Sequence, residues 1–267
     1  MTAASPTRLR LVRERPVCRV VLSRPEVRNA FDDALIRELT EAFAAFEGDA
    51  ATRVVVLQGD GPSFCAGADV GWMRKAGTYS RAENEADARR MAEMLRAIDA
   101  CPKPVVALVQ GHAIGGGVGL VAASDIAIAA EKTVFSLAEV KLGILPSVIS
   151  PYVLRAIGAR QARDVFLTGE RFDADEAFRI GLVHQVVPVE ELEAAGRRKI
   201  DALLTSGPEA VGAAKRLIGR VAGLTPAQAM ELTVETIAER RASDEAKEGL
   251  SAFLEKRAPR WVRKPGS

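Results

Sequence analysis

The segment Ala113-Ile114-Gly115-Gly116-Gly117-Val118-Gly119-Leu120 follows the apolar run Val105 to Val109 and leads into Val121-Ala122-Ala123. That order predicts a buried strand, a glycine turn and the N-terminus of a helix. Backbone N–H groups lack partners at such a turn, and the helix dipole adds positive potential there. Glycines also let a ligand reach the backbone with no Cβ in the way. The chemistry on offer is stabilisation of negative charge. A second small-residue turn, Cys65-Ala66-Gly67-Ala68-Asp69, comes after the β-branched run Arg53 to Leu57. If the two strands are neighbours in one sheet, both turns lie at one edge. The N–H groups of Ala66 and Gly116 then converge on one oxygen, forming an oxyanion hole suited to a carbonyl that becomes an enolate.

Other chemistries fit less well. Gly117, Gly119 and Ala122 satisfy a dinucleotide fingerprint, with Glu139 about twenty residues on, but the strand Ile126 to Ala129 ends well before that acid. Ser124 and Ser136 have only His112 and His184 as candidate bases, and no G-x-S-x-G elbow is present. Neither histidine has a second ligand at metal-binding spacing, and His112, at a strand end beside Gly111, reads equally well as a hydrogen-bonded structural group or as a base.

The elements that must position the two turns alternate between strand and helix. Arg19 to Leu22, Arg53 to Leu57, Val105 to Val109 and Ile126 to Ala129 read as strands. Between them, Asp32 or Asp33 caps a helix with Leu35, Leu39, Ala42, Phe43 and Phe46 on one face, and Glu85 to Ala100 is helical with Ala88, Met91, Leu95 and Ile98 on one face. This alternation predicts an α/β core with a largely parallel sheet. After Ser147 helices dominate: Pro151 to Ile157, Ala162 to Leu167, Ala174 to Ile180, Glu190 to Leu204, Glu209 to Arg220, Pro226 to Arg240 and Ser243 to Arg257. Only Val183 to Val187 resembles a strand in that half.

The 267 residues allow one large domain, with 48% hydrophobic and 27% charged residues, as in soluble globular proteins. The net charge of +2 argues neither for nor against nucleic acid. Basic residues do gather at the ends, at Arg8, Arg10, Arg13 and Arg15 and at Lys256, Arg257, Arg260, Arg263 and Lys264. They read either as solvated terminal charge or as a phosphate-contacting tail. Cys18, Cys65 and Cys101 show no metal-ligand or disulfide pattern, Met1 to Arg15 carries no apolar signal core, and polar residues interrupt the stretch Pro104 to Ala130. A cytoplasmic protein is expected.

Phe64-Cys65-Ala66-Gly67-Ala68-Asp69, Gly111-His112-Ala113-Ile114-Gly115-Gly116-Gly117 and Glu139-Val140-Lys141-Leu142-Gly143-Ile144-Leu145-Pro146 together resemble the enoyl-CoA hydratase/isomerase (crotonase) family. Leu250 to Arg257 resembles that family's C-terminal helix, and the likeness spans roughly residues 8 to 260. The resemblance implies an α/β crotonase (ClpP-like) spiral of ββα units over residues 1–200. It also implies a helical trimerisation region over 201–267, assembled as a trimer or a dimer of trimers. Ala66 and Gly116 match the thioester-oxygen donors. Ala68, with Asp69 beside it, matches the turn lining the CoA pocket, and Phe253 and Lys256 match a C-terminal pair that approaches CoA, often from an adjacent subunit. That makes a phosphate-contacting role more credible for Lys256 than for Arg263 or Lys264.

Glu139 matches the second of two glutamates that hold water in family hydratases, and Gly119 stands where the first would be. The expected activity is hydration of a 2-enoyl-CoA thioester through an enolate, with Glu139 as acid/base and no cofactor beyond the coenzyme A of the substrate. The single glutamate is also the pattern of family isomerases, so an enoyl-CoA delta isomerase is the alternative. Leu145 to Val153, Gly116 to Ala122 and Val70-Gly71-Trp72-Met73 are similar to a bacterial branch hydrating methylglutaconyl-CoA or carboxygeranoyl-CoA, which points to a branched or carboxylated acyl group. A non-catalytic acyl-CoA-binding or RNA-binding role is the reading from another class; near-neutral charge and 5% aromatic residues weigh against RNA. Neither a membrane nor a metal ion is expected.

Overall fold

The computed structural model describes residues 7–262. Nine strands form among the described residues: β1 (Leu9–Glu14), β2 (Val17–Leu22), β3 (Val54–Gly59), β4 (Val105–Val109), β5 (His112–Ile114), β6 (Ile126–Ala130), β7 (Val134–Ser136), β8 (Arg171–Phe172) and β9 (Gln185–Val187). The larger sheet runs β1-β2-β3-β4-β6-β9, parallel throughout except for β1 at its edge. Its central strands are continuous Val, Ile, Leu and Ala runs because both faces are covered. Val55 and Leu57 point into one apolar cluster, and Val54 and Val56 into another on the opposite face. The smaller sheet joins β5 to β7 in parallel and β7 to β8 antiparallel.

The larger cluster is covered by α1 (Asp33–Ala45), α3 (Arg81–Asp99), α4 (Gly116–Ala123) and α5 (Ser150–Thr168), with α2 (Val70–Ala76) between α1 and α3 in the chain. Asp32, rather than Asp33, caps α1 by accepting from Leu35 N at 2.8 Å. The helix α3 begins four residues before the expected Glu85, because Ser80 and Glu83 form a reciprocal capping box. Its buried face is Asp87, Met91, Met94, Leu95 and Ile98, while Ala88 is exposed. The two helices expected after Ser147 both form, end to end within α5, with the non-helical backbone of Gly158 (φ 72, ψ 161) between them.

After α6 (Ala174–Arg179) and β9, α7 (Leu192–Leu204) covers the second cluster with Leu192, Ala195 and Ile200. It runs past residue 200, where the core was expected to end. Three further helices follow, α8 (Pro208–Val221), α9 (Pro226–Ala242) and α10 (Asp244–Leu254). The last of them stops three residues short of Arg257, and Lys256 adopts a left-handed backbone (φ 53). Four strands were not anticipated: β1, β5, β7 and β8. The last three have two or three residues each, too few to show a period of two. The outer edge strand β1 is mostly exposed and carries arginines instead of an apolar alternation.

Candidate active site

Parallel pairing of β3 with β4 sends both small-residue turns out of the same end of the sheet. A local ladder then fixes them side by side. Cys65 N–H donates to His112 O at 2.9 Å, and Ile114 N–H donates to Cys65 O at 3.0 Å. Burial pushes the Cys65 thiol up to about 12, so this cysteine packs and does not serve as a thiolate. On the other side of the first turn, Phe31 N–H donates to Gly67 O at 2.7 Å and Asp69 N–H to Phe31 O at 2.9 Å, which stitches Ala68 against Phe31.

Gly115 turns the chain from β5 into α4 with φ 52 and ψ −116, a conformation that suits glycine. Its N–H continues the small sheet by donating to Ser136 O at 2.8 Å. Gly116 then opens a helix whose residues Gly117 to Ala123 are all buried. The Gly116 N–H has no partner among the described residues, so a free donor sits at the positive end of a buried helix. Ala66 differs from expectation. Its N–H already donates to Arg28 O at 2.9 Å, so it reaches a ligand oxygen only by sharing or releasing that bond.

Glu139 sits in the 3-10 turn Ala138–Leu142 and brings its carboxylate over Gly115. Oε1 lies 3.0 Å from where a Cβ of Gly115 would stand, and Oε2 is buried with no hydrogen-bond partner. Burial raises the Glu139 pKa above the usual carboxylate range, only partly offset by its own backbone N–H. A carboxylate of raised pKa with one unpartnered oxygen, beside an unpartnered N–H, is an arrangement for moving a proton while an oxyanion is held.

The surroundings are apolar. Met91 Cε and Phe31 Cε2 lie 2.7 and 2.8 Å from where a Cβ of Gly116 would stand, so any larger residue there has to displace them. A Cβ on Gly119 would come within 3.0 Å of Ile149 Cβ, closer still to its Cγ2, and 3.5 Å from Leu95 Cδ2. The place where a glutamate was missed in the sequence is therefore filled by Ile149. The sequence offered no sign of Ile149 or Phe31 as neighbours of the turn, because both arrive from distant segments. Met91 was visible only as a member of a helix face. Trp72 Nε1 and Ser136 Oγ are also buried without partners.

Asp69 serves the scaffold: it caps α2 by accepting from Gly71 N (2.8 Å) and Trp72 N (3.2 Å), and it pairs with Arg24 at 3.1 Å. Phe253 is 80% exposed, and neither it nor Lys256 has a hydrogen bond or ion pair to the site within the protomer. The basic ends are largely neutralised locally. Arg10 pairs with Asp60, Arg13 with Asp49, and Arg257 and Arg260 with Glu248. Arg263 and Lys264 lie outside the described residues.

Residues 13–264 match the family model described as enoyl-CoA hydratase/isomerase. The chain belongs to that family. A crystal structure of an enoyl-CoA hydratase from Shewanella pealeana superposes with a TM-score of 0.92 at 42% identity, covering 95% of this chain and 96% of that one. An enoyl-CoA hydratase from Mycobacterium smegmatis gives a TM-score of 0.91 at 33% identity over 97% and 100% of the two chains. Among curated relatives, the crotonyl-CoA hydratase of Syntrophomonas wolfei is 33% identical over 256 residues, 95% of this chain and 97% of its own length. The two sheets and their helices are thus the crotonase α/β fold, and the paired turns and Glu139 lie in a crotonase-family protein.

Proposed function

We propose that the protein is an enoyl-CoA hydratase, a hydro-lyase in which Glu139 is the acid/base and the Gly116 N–H stabilises the enolate. The observation that carries this reading is the Glu139 carboxylate set over the free end of α4 with its Oε2 buried and unpartnered. In the forward step Glu139 takes a proton from water as the oxygen bonds to the β-carbon. The electron pair of the α,β double bond moves onto the thioester oxygen. Gly116 N–H receives that charge, joined by Ala66 N–H as it turns from Arg28 O. Glu139 then returns a proton to the α-carbon. Coenzyme A enters as part of the substrate, and the step needs no other cofactor. Hydratase names among the relatives support the reading.

A branched or carboxylated acyl group is the proposed substrate class, supported by the likeness of Leu145 to Val153 to the methylglutaconyl-CoA and carboxygeranoyl-CoA branch. The buried, unpartnered Trp72 N–H offers a donor for a polar acyl group. Ala68 and Asp69 line the CoA side, Gly119 borders the acyl side, and Phe253 and Lys256 approach CoA from a neighbouring copy in a homotrimer or dimer of trimers. A cytoplasmic setting goes with three free, buried cysteines. Among the described residues no helix is long and apolar enough to cross a membrane.

One observation favours a second reading. Ile149 against Gly119 leaves Glu139 without a second carboxylate, which suits an isomerase that moves a proton between two carbons. Incubation with a 2-enoyl-CoA and, separately, a 3-enoyl-CoA in deuterated water decides between them. A hydratase converts the 2-enoyl ester to a 3-hydroxyacyl product, whereas an isomerase gives only a deuterated enoyl ester from the 3-enoyl substrate. Full activity in Glu139→Gln would overturn both.

A further inference from the structure

The segment between β2 and α1 folds around one guanidinium. The side chain of Arg24 is only 14% exposed. Its Nη1 donates to Ala30 O at 2.7 Å and lies 3.3 Å from Asp32 Oδ2, while Nη2 donates to Asp69 Oδ2 at 3.1 Å. The backbone closes round the same residue. Arg24 N–H donates to Asn29 Oδ1 at 2.8 Å, and Asn29 N–H donates back to Arg24 O at 2.8 Å. Asn29 is fully buried, and its Nδ2 donates to Asp60 O and Ser63 O. Arg28 and Asn29 take left-handed backbone in succession (φ 53 and 57), a loop shape that persists only where its contacts hold it.

The groups that Arg24 grips flank the site. Ala30 and Asp32 bracket Phe31, whose Cε2 stands 2.8 Å from the place of a Cβ on Gly116. Asp69 ends the turn that exchanges two main-chain bonds with Phe31, through Gly67 O and the Asp69 N–H. The guanidinium therefore adds a second tie between the Phe31 segment and that turn. It also anchors α2, because Asp69 caps that helix with Oδ1 while Oδ2 accepts from Arg24. None of the seven residues of α2 is buried, so its first turn depends on this cap. A planar fork with fixed donor directions suits a three-point grip that an ammonium cannot reproduce.

We propose that Arg24 is a positioning residue for the enolate chemistry, setting the gap between the Phe31 ring and the Ala66–Asp69 turn beside the Gly116 N–H. It touches no substrate. This role rests on the enoyl-CoA reading of the site. A displacement of about 1 Å in a group that orients or stabilises the transition state costs on the order of a hundredfold in rate. Arg8 provides the comparison, because it pairs with the same Asp32 at 3.1 Å.

Turnover of enoyl-CoA esters and amide hydrogen exchange of the ligand-free full chain test the proposal in Arg24→Ala, Arg24→Lys and Arg8→Ala. Arg24→Ala is expected to lower kcat about ten- to a hundredfold while KM changes about threefold or less, because position matters most in the transition state. Arg24→Lys keeps the charge without the fork, so it loses most of the same rate. Exchange over residues 66–72 speeds up in both Arg24 variants, whereas Arg8→Ala keeps the wild-type exchange and kcat. The acid limb of the rate profile stays where Glu139 sets it. Wild-type kcat in Arg24→Ala, an equal loss in Arg8→Ala, full rescue by lysine or a shifted acid limb overturns the proposal. If Arg24→Ala does not fold, Arg24→Lys carries both measurements. A wild type that turns over no enoyl-CoA removes the enoyl-CoA reading and the positioning role with it, whereas an active wild type with an indifferent Arg24 removes the role alone.

Discussion

Glu139 illustrates how one residue serves chemistry at a cost to the fold. Its pKa is raised by burial, so the folded state binds a proton more tightly than the unfolded chain does. Between the unfolded pKa and the raised folded one, the native state carries more protons, and stability falls as pH rises through that window. Above it the destabilisation is complete; below the ordinary carboxylate range it vanishes. Glu139→Gln is therefore expected to raise the melting temperature at pH 7, with the gain disappearing at low pH, while turnover falls by a hundredfold or more, on the order of a lost acid/base group. Thermal melts and rates across pH check both halves together. The wild-type rate should also lose activity on the acid side at a pH above the usual carboxylate pKa, because the protonated carboxyl cannot accept from water.

At the level of elements, the turn between β5 and α4 is the best case of sequence foretelling structure. Three glycines after an apolar run specify a tight entry to a buried helix, and β3 and β4 do pair as the two turns required. The occupant of the space beside Gly119 was not legible, because nothing local links residue 119 to Ile149. The same limit hid the Arg28 carbonyl on Ala66, a contact between segments 38 residues apart in number, 66 − 28. This packing gives a direct prediction. Gly119→Ala gains helix propensity of about 0.5–1 kcal/mol. It also forces a methyl into Ile149, which costs about 1–3 kcal/mol. A net loss of stability in denaturant melts is expected. Ile149→Val in the same chain should recover part of it, a coupling that a double-mutant cycle isolates. Independent, additive effects would show that the two side chains do not compete for space.

For the whole molecule, the C-terminal helices pose a problem that one protomer leaves unsolved. The 17-residue helix α9 buries none of its residues, and α8 buries only Gly212 and Ala213. A helix of this length gets most of its stability from tertiary packing of an apolar face. Such a face exists on α9: Met230, Val234 and Ile237, spaced as one helical stripe, are 55%, 54% and 49% exposed. Leu250, Phe253 and Leu254 of α10 add three more exposed apolar side chains. Scattered apolar residues are ordinary on a surface, but a contiguous stripe marks a contact. A second and third copy of the same chain would cover it and could carry Phe253 and Lys256 toward a neighbouring site. Val234→Glu with Ile237→Glu is thus expected to shift the protein from trimer or hexamer to monomer in analytical ultracentrifugation. The spiral core should keep its far-ultraviolet signal, and the KM for enoyl-CoA should rise more than kcat falls, because binding residues from the neighbour are lost while Glu139 stays in place. A monomeric wild-type protein, or a double variant that stays assembled, would show that α9 is held by something other than its own copies.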